Sequence, residues 1–144
     1  MKDTIMNVET ERLSLSTRGH TDVIDITALV RQKLQASALK NGVVTLTVLG
    51  STAGLTTIEF EPGLMKDIKE LLEKLIPSNK EYHHDATWHD GNGYAHLRSS
   101  LIGTSLSLPF VEGEMLLGQW QQIIFLDFDN RPRNRNIILQ FMGE

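Results

Sequence analysis

The sequence predicts an α+β fold in which a mainly antiparallel or mixed β-sheet carries two principal helices packed on one face. Two segments repeat apolar residues at helical spacing, and others alternate apolar with polar residues as half-buried strands do. The strand segments of the second half follow one another without helices between them, which favours antiparallel pairing. With 144 residues, 40% of them apolar, we expect one domain over residues 1–144.

The N-terminal segments are predicted to form a strand and then a helix. Residues Asn7–Thr17 alternate apolar with polar side chains. Asp25 or Thr27 is expected to be the N-cap of the helix, and Asn41-Gly42 its left-handed stop. The apolar face of this helix is predicted to be Ile26, Leu29, Val30, Leu34 and Ala38.

A second strand and a second helix are predicted to follow. Residues 43–49 are β-branched and alternating, and they lead into the tight small-residue loop 50–54. Residues 56–60 continue as strand in this interpretation. Pro62 then begins a helix that ends before Pro77.

The second half is predicted to be a long loop followed by strands. Residues 78–93 show no period but carry three of the five histidines, and long loops in compact domains are often functional. The predicted strands are 94–102, 105–111, 115–129 and 136–142. Trp120 is expected inside an apolar strand, packed in the core or at a subunit interface. Arg131, Arg133 and Arg135 are expected to be solvated in the last hairpin or to receive phosphate.

Composition excludes several classes of function. A formal net charge of −4 gives no broad reason to bind nucleic acid or an anionic membrane. No apolar run approaches the roughly 20 residues that span a bilayer, and the N-terminus lacks the apolar core of a signal peptide. We therefore expect the protein to be located in the cytoplasm. Without cysteine, any metal must be held by histidine, carboxylate, carbonyl or water.

The segment YHHDATWHDGNGYAHL concentrates potential metal ligands. Imidazole and carboxylate bind zinc, nickel, manganese or iron when thiolates are missing. His83 and His84 would point to opposite faces of an extended chain, so at most one of them is expected in a given site. His96 is expected at the start of a strand. The same residues also suit a polar surface loop, and spacing alone leaves both interpretations open.

Two further groups are weaker candidates. The loop Gly50-Ser51-Thr52-Ala53-Gly54 offers hydroxyls and approachable amides that suit an anion such as phosphate, although a Gly-rich strand turn is the favoured interpretation. Glu59 is a candidate carboxylate ligand or general base, or an ordinary charge before a helix. No G-x-S-x-G elbow is present, which argues against a serine hydrolase.

A resemblance to a known family lies in three stretches that occur in this order: GSTAGLTTIEFEPGL, DGNGYAHLRSSLIGTSLSLPF and GEMLLGQWQQIIFLDFD. Together they resemble the YjbQ-like family, also called secondary thiamine-phosphate synthases, over nearly the whole chain. This sequence departs from the family pattern at two positions that bear on the proposed chemistry. Gly50-Ser51-Thr52 aligns with a common His-Thr-Thr, and Tyr94 aligns with the first histidine of a common His-x-His, of which His96 matches the second.

The resemblance implies a homotrimer with sheets packed around a threefold axis and a small phosphorylated metabolite as substrate. The implied reaction joins a pyrimidine pyrophosphate to a thiazole phosphate, releasing pyrophosphate, and needs a divalent metal ion, Zn or Mg. The implied site consists of His84 and His96 as metal ligands, Ser51, Thr52 and Asn92 as phosphate-binding residues, and Glu59 and Arg98 as catalytic residues. His89, from the same histidine-rich segment, is expected as a third metal ligand.

Two alternatives remain open from the sequence. A metal-dependent hydrolase would use the same histidines to activate water, with Glu59 as base. A non-enzymatic trimeric protein would bind a metal or metabolite without turnover, an alternative motivated by the two missing family histidines.

Overall fold

Eight strands and four helices follow one another along residues 5–144, the part of the chain that the computed structural model describes. The strands are β1 (Asn7–Thr17), β2 (Asp22–Asp25), β3 (Gly42–Val48), β4 (Ala53–Ile58), β5 (Ser105–Val111), β6 (Glu114–Met115), β7 (Gln122–Asp127) and β8 (Arg133–Gly143). The helices are α1 (Thr27–Ala36), α2 (Pro62–Leu75), α3 (Asp85–Trp88) and α4 (Gly93–Ile102).

The strands form two antiparallel sheets. A five-stranded sheet has the order β1-β8-β3-β5-β6, and a three-stranded sheet has the order β2-β7-β4. Every strand pair is antiparallel. The predicted α+β class and its antiparallel pairing are therefore confirmed.

The three-stranded sheet lies between the five-stranded sheet and two helices, because alternate residues of β7 face opposite ways. Ile123 and Phe125 belong to the core cluster of the five-stranded sheet. Ile124 and Leu126 belong to a second cluster with residues of α2 and α4. A strand buried on both faces reads as a continuous apolar run, and all residues from 123 to 129 are buried.

The two helices predicted to share one face do not do so. α1 buries Val30 and Leu34 in the first cluster, whereas α2 buries Leu72 in the second. The helix that accompanies α2 is α4. α1 also ends earlier than predicted, because Ala38, with φ of 62°, takes the left-handed position expected at Asn41-Gly42.

Gly42 instead opens β3, where the neighbouring strand comes too close for a side chain. A Cβ at this position would collide with the backbone carbonyl oxygen of Met142. The glycine therefore allows β3 to pair with β8.

The prediction of a strand over 94–102 is wrong, because these residues lie in α4. The helix buries Tyr94, Ala95, Arg98 and Ser99 against the sheet, while Leu97 and Leu101 stay exposed. Small and polar residues thus form the packed face, which lets the helix approach β4 closely. The apolar positions do not mark the buried side.

The predicted strand 115–129 is interrupted. β6 ends at Met115 and β7 begins at Gln122, with irregular chain between them. Trp120 lies in this connection and is 68% exposed, so the prediction that it lies inside a strand is wrong. The short strand β2 was not predicted. Within residues 5–144, no helix is long and apolar enough to cross a membrane.

Candidate functional site

Two carboxylates are completely buried at the end of β7. Asp127 accepts hydrogen bonds from the Thr17 hydroxyl at 2.6 Å, from Nε of Arg135 at 2.7 Å and from Nη2 of Arg135 at 2.8 Å. The paired bonds from one guanidinium make this a bidentate ion pair. Arg135 continues the inward-facing row of β8, so the pair joins the two sheets at their polar end.

Asp129 is the second buried carboxylate and connects several segments. It accepts hydrogen bonds from the Thr52 hydroxyl at 2.9 Å, the Asn92 amide at 3.3 Å and Nε of Arg133 at 2.9 Å. Burial acts to raise the pKa of Asp129, but these bonds and one from the Asn130 backbone outweigh it and leave the pKa below its ordinary value. The group is therefore an anion at neutral pH.

The sequence interpretation missed this network and placed Arg135 in solvent, which is wrong: Arg135 is buried. A signal was present in the sequence. Asp127 and Asp129 interrupt the apolar run IIFLDFD, and buried carboxylates require cationic partners, which the alternating arginines of RPRNR supply.

The loop between β3 and β4 meets this network. The Thr52 hydroxyl donates to Asp129 and accepts from Nη2 of Arg135 at 2.7 Å, so its hydrogen is already engaged. Ser51 is exposed. A Cβ at Gly50 would lie 3.0 Å from Nη1 of Arg135. That nitrogen makes no hydrogen bond within residues 5–144, and the glycine leaves it uncovered.

The histidine-rich segment is ordered by a single carboxylate. Asp85 accepts a hydrogen bond from the backbone N–H of Tyr82 at 2.9 Å and from that of Gly93 at 2.9 Å. These bonds keep the pKa of Asp85 below its ordinary value, against the opposing effect of burial. Asp85 thereby fixes the start of α4 next to the turn that carries His84.

His84 and His96 face each other across this turn, with ring centroids 4.4 Å apart. Nε2 of His84 is buried without a hydrogen-bond partner among the described residues and lies 3.9 Å from Oδ1 of Asp90. Oδ1 of Asn92 is likewise buried and unpartnered within residues 5–144. Burial and the neighbouring His84 lower the pKa of His96, although the charges of Asp129 and Asp90 oppose this.

A cavity of about 320 Å³ opens at the histidine pair. Its lining is mostly apolar and consists of Tyr82, His83, His84, Gly93, His96 and Leu97. The pair therefore lies at the wall of a space large enough for a small organic molecule.

The donors present suit a divalent ion only in part. Two imidazoles and the Asp90 carboxylate are ligand types that zinc accepts. However, no group of three or more His, Asp or Glu side chains within residues 5–144 lies close enough to hold a metal ion. His89, exposed at the end of α3, accordingly does not join the pair. His96 lies on α4, not on the strand predicted for it.

Arg98 lies on a different side of α4, where its guanidinium joins several packed segments. Its Nε and Nη2 donate to the carbonyl of Ile76 at 3.1 and 2.7 Å, and Nη2 also donates to Glu73 at 2.8 Å. Nη1 donates to the Thr21 hydroxyl at 3.1 Å. These bonds tie the end of α2 to α4 and to the β1–β2 loop.

Glu59 is also apart from the histidines. It is exposed just before α2 and lines an open cavity of about 400 Å³ together with Phe60 and Trp120. Of the residues predicted for the site, the structure therefore brings Thr52 and Asn92 to Asp129, and His84 to His96. Glu59, Arg98 and His89 lie elsewhere, and Ser51 lies at the exposed edge.

Comparison with known proteins gives a consistent assignment. The family model described as "UPF0047 protein YjbQ-like" matches residues 11–144. A UPF0047 protein of Methanothermobacter thermautotrophicus is 37% identical over 139 residues, which cover 96% of this chain and 95% of that protein. The UPF0047 protein YugU of Bacillus subtilis is 32% identical over 133 residues, covering 91% of this chain and 97% of that protein.

Solved structures agree with the fold. A YbjQ-like protein of unknown function from Sulfolobus solfataricus has a TM-score of 0.91 at 29% identity, covering 97% of this chain and all of that chain. A hypothetical protein from Aeropyrum pernix has a TM-score of 0.88 at 34% identity, covering 94% of this chain and 99% of that chain. The family resemblance read from the sequence is thus confirmed, and the chain belongs to the UPF0047 family of YjbQ-like proteins.

Proposed function

We propose that this chain is a metal-dependent enzyme that acts on a phosphorylated metabolite in the manner of a secondary thiamine-phosphate synthase. The reaction is the condensation of a pyrimidine pyrophosphate with a thiazole phosphate, with release of pyrophosphate. One observation carries the proposal: His84 and His96 lie 4.4 Å apart at a cavity, and Nε2 of His84 is buried without a partner among residues 5–144. Buried polar atoms normally have a bonding partner, so this unpartnered nitrogen supports a bound ligand.

His84 and His96 would supply the two protein ligands of the divalent ion. The lowered pKa of His96 keeps its ring neutral, and only a neutral ring can coordinate. Imidazole donors favour zinc over magnesium. When bound, the ion would stabilise the negative charge that develops on departing pyrophosphate. The remaining ligand positions would be filled by phosphate oxygens and water.

The chain's own residues would bind phosphate at the loop between β3 and β4. Nη1 of Arg135 is uncovered beside Gly50, and the exposed hydroxyl of Ser51 belongs to the same loop. A guanidinium donates to phosphate oxygens with strong charge-assisted bonds. Thr52 would act through Arg135, whose Nη2 it holds, and Asn92 would act through Asp129, to which its side-chain amide donates.

The assembly that we propose is a homotrimer formed through the open face of the five-stranded sheet. One face of that sheet covers the core, while the other carries an exposed apolar row. In register across three strands lie Val8, Met142 and Val43, all about half exposed. Association with further copies would remove this row from water.

The experiment is a product assay with protein purified without chelator and without a His-tag. Zn²⁺-loaded protein is expected to yield thiamine phosphate and pyrophosphate only when both substrates are present. Chelator-treated protein should be inactive and should recover on addition of Zn²⁺. Absence of product from the loaded protein with both substrates would contradict the proposal. Consumption of one substrate alone would replace it with the hydrolase alternative.

A further inference from the structure

A second cavity, of about 150 Å³, lies on the other side of α4 from the histidine pair. Its lining comes from four segments: His20 and Thr21 of the β1–β2 loop, Lys69 and Glu73 of α2, Ser78 after that helix, and Tyr94 and Arg98 of α4. The space is equivalent to roughly five water molecules in the liquid, at about 30 Å³ each. A tetrahedral oxyanion with a few attached atoms fits a space of this size.

The carboxylate that lines this cavity, that of Glu73, already accepts hydrogen bonds at both oxygens. Oε2 of Glu73 accepts from Arg98 at 2.8 Å, and Oε1 accepts from the backbone N–H and hydroxyl of Ser78 at 2.8 and 3.0 Å. Arg98 is itself held by Ile76 and Thr21, which leaves one hydrogen of Nη1 free. The guanidinium of Arg98 is therefore held in place at the cavity wall and keeps one hydrogen-bond donor free.

Besides Arg98, three side chains that line this cavity keep a free hydrogen-bond donor. Nζ of Lys69 and the hydroxyl of Tyr94 make no hydrogen bond within residues 5–144, although Tyr94 is only 5% exposed. Burial raises the pKa of Tyr94, so its proton is present at neutral pH. The Thr21 hydroxyl accepts from Arg98 and keeps its own hydrogen. A lining of spare donors requires a ligand rich in acceptors.

Backbone strain occurs at the same place. Gly19, His20 and Thr21 have φ of 75°, 54° and 60°, a left-handed run that is costly for the β-branched threonine. A hydrogen bond of 2.7 Å from the His20 N–H to the carbonyl of Asp129 holds the run in place. Strained backbone conformations are frequent at ligand-binding sites. Here the left-handed conformation directs the side chain of Thr21 towards Arg98.

We propose that this cavity binds a phosphate oxyanion, either free phosphate or the phosphate group of a small metabolite, through Lys69, Tyr94 and Arg98. The excess of donors, two cations against one fully paired carboxylate, and the size of the cavity support this ligand chemistry. The site does not involve the histidine pair, and the inference does not depend on the metal or on the reaction proposed above.

The test is a titration with inorganic phosphate and, separately, with glycerol phosphate, followed by calorimetry at ionic strength held constant with chloride. EDTA is present throughout, so phosphate bound by a metal at the histidine pair does not contribute. Lys69→Gln and Tyr94→Phe remove one donor each. Lys66→Gln removes the same charge from α2 outside the cavity and is the matched control.

Wild-type protein is expected to bind phosphate saturably, and Lys69→Gln and Tyr94→Phe should each weaken binding about ten-fold, as for one lost hydrogen bond to a charged ligand. Lys66→Gln should bind within about two-fold of wild type. Equal affinities for both ligands would indicate the phosphate group of a metabolite, and preference for inorganic phosphate would indicate the free ion. No saturable binding by wild type, or unchanged affinity in both cavity variants, would overturn the proposal.

Discussion

Arg135 and Asp127 form a bidentate ion pair between the two sheets, with N···O distances of 2.7 and 2.8 Å and both side chains buried. Removing one partner leaves the other as an uncompensated buried charge. We expect Arg135→Ala to lower the free energy of unfolding by about 3–5 kcal/mol. Urea unfolding followed by circular dichroism measures this.

The matched control is Arg131→Ala, an exposed arginine of the same hairpin without a hydrogen bond in the described structure. Its effect should stay within about 0.5 kcal/mol. A loss of less than about 1 kcal/mol for Arg135→Ala would contradict the structural role assigned to the pair.

Acid should weaken the loop that forms the second cavity. Burial acts to raise the pKa of Asp22, but hydrogen bonds from the backbone and guanidinium of Arg18, together with the charge of Lys69, bring it below its ordinary 3.8. The folded state therefore favours the ionised carboxylate. Its contribution to stability is complete above pH 3.8 and is lost as the pH falls below 3.8 through the folded-state pKa.

Urea midpoints measured between about pH 6 and about pH 2 test this expectation. Asp22→Asn should make the acid limb of the stability curve less steep than in wild type. Asp67→Asn, which removes an exposed carboxyl from α2, is the control and should leave the limb unchanged. An identical acid limb in wild type and Asp22→Asn would refute the assignment.

Substitution of Thr52 should affect the free energy of unfolding more than it affects ligand binding. Its hydroxyl is bonded to both Asp129 and Arg135 in a buried setting. Thr52→Val should therefore cost about 1–3 kcal/mol, because two charged groups lose a partner. Thr52→Ser keeps the hydroxyl and should retain most of that stability. Equal stabilities of Thr52→Val and wild type would show that the network does not depend on this residue.

Light scattering should give a mass three times that of the 16.2 kDa chain. Val43→Asp places a charge in the apolar row of the open sheet face and should yield single chains. Leu71→Asp makes the same kind of change on exposed α2 and should leave the trimer intact. A single-chain mass for wild type across the micromolar range would exclude this assembly.

Much of the fold follows from local periodicity. β1 and β5 have the predicted bounds and α2 begins at the predicted Pro62, because each has one apolar face with a clear period. α4 could not be found in this way. Its packed face is made by Ala95, Ser99 and the guanidinium-bearing Arg98, and its leucines face outward.

The site was less predictable because its contacts are distant in sequence. The approach of His84 to His96 depends on the turn that Asp85 organises, and no spacing rule reveals that turn. The roles of Asp127 and Asp129 depend on β7 being buried on both faces. Only the assembled layers show that their partners are Arg135 and Thr52.

The central claim, a metal ion held by His84 and His96, is tested most directly by the metal content of His96→Ala. Elemental analysis should find about one equivalent of divalent metal per chain in Zn²⁺-loaded wild type. His96→Ala should lose it at unchanged circular dichroism, whereas His89→Ala, altered at the exposed end of α3, should keep it. A well-folded His96→Ala protein with the full wild-type metal content would contradict the account.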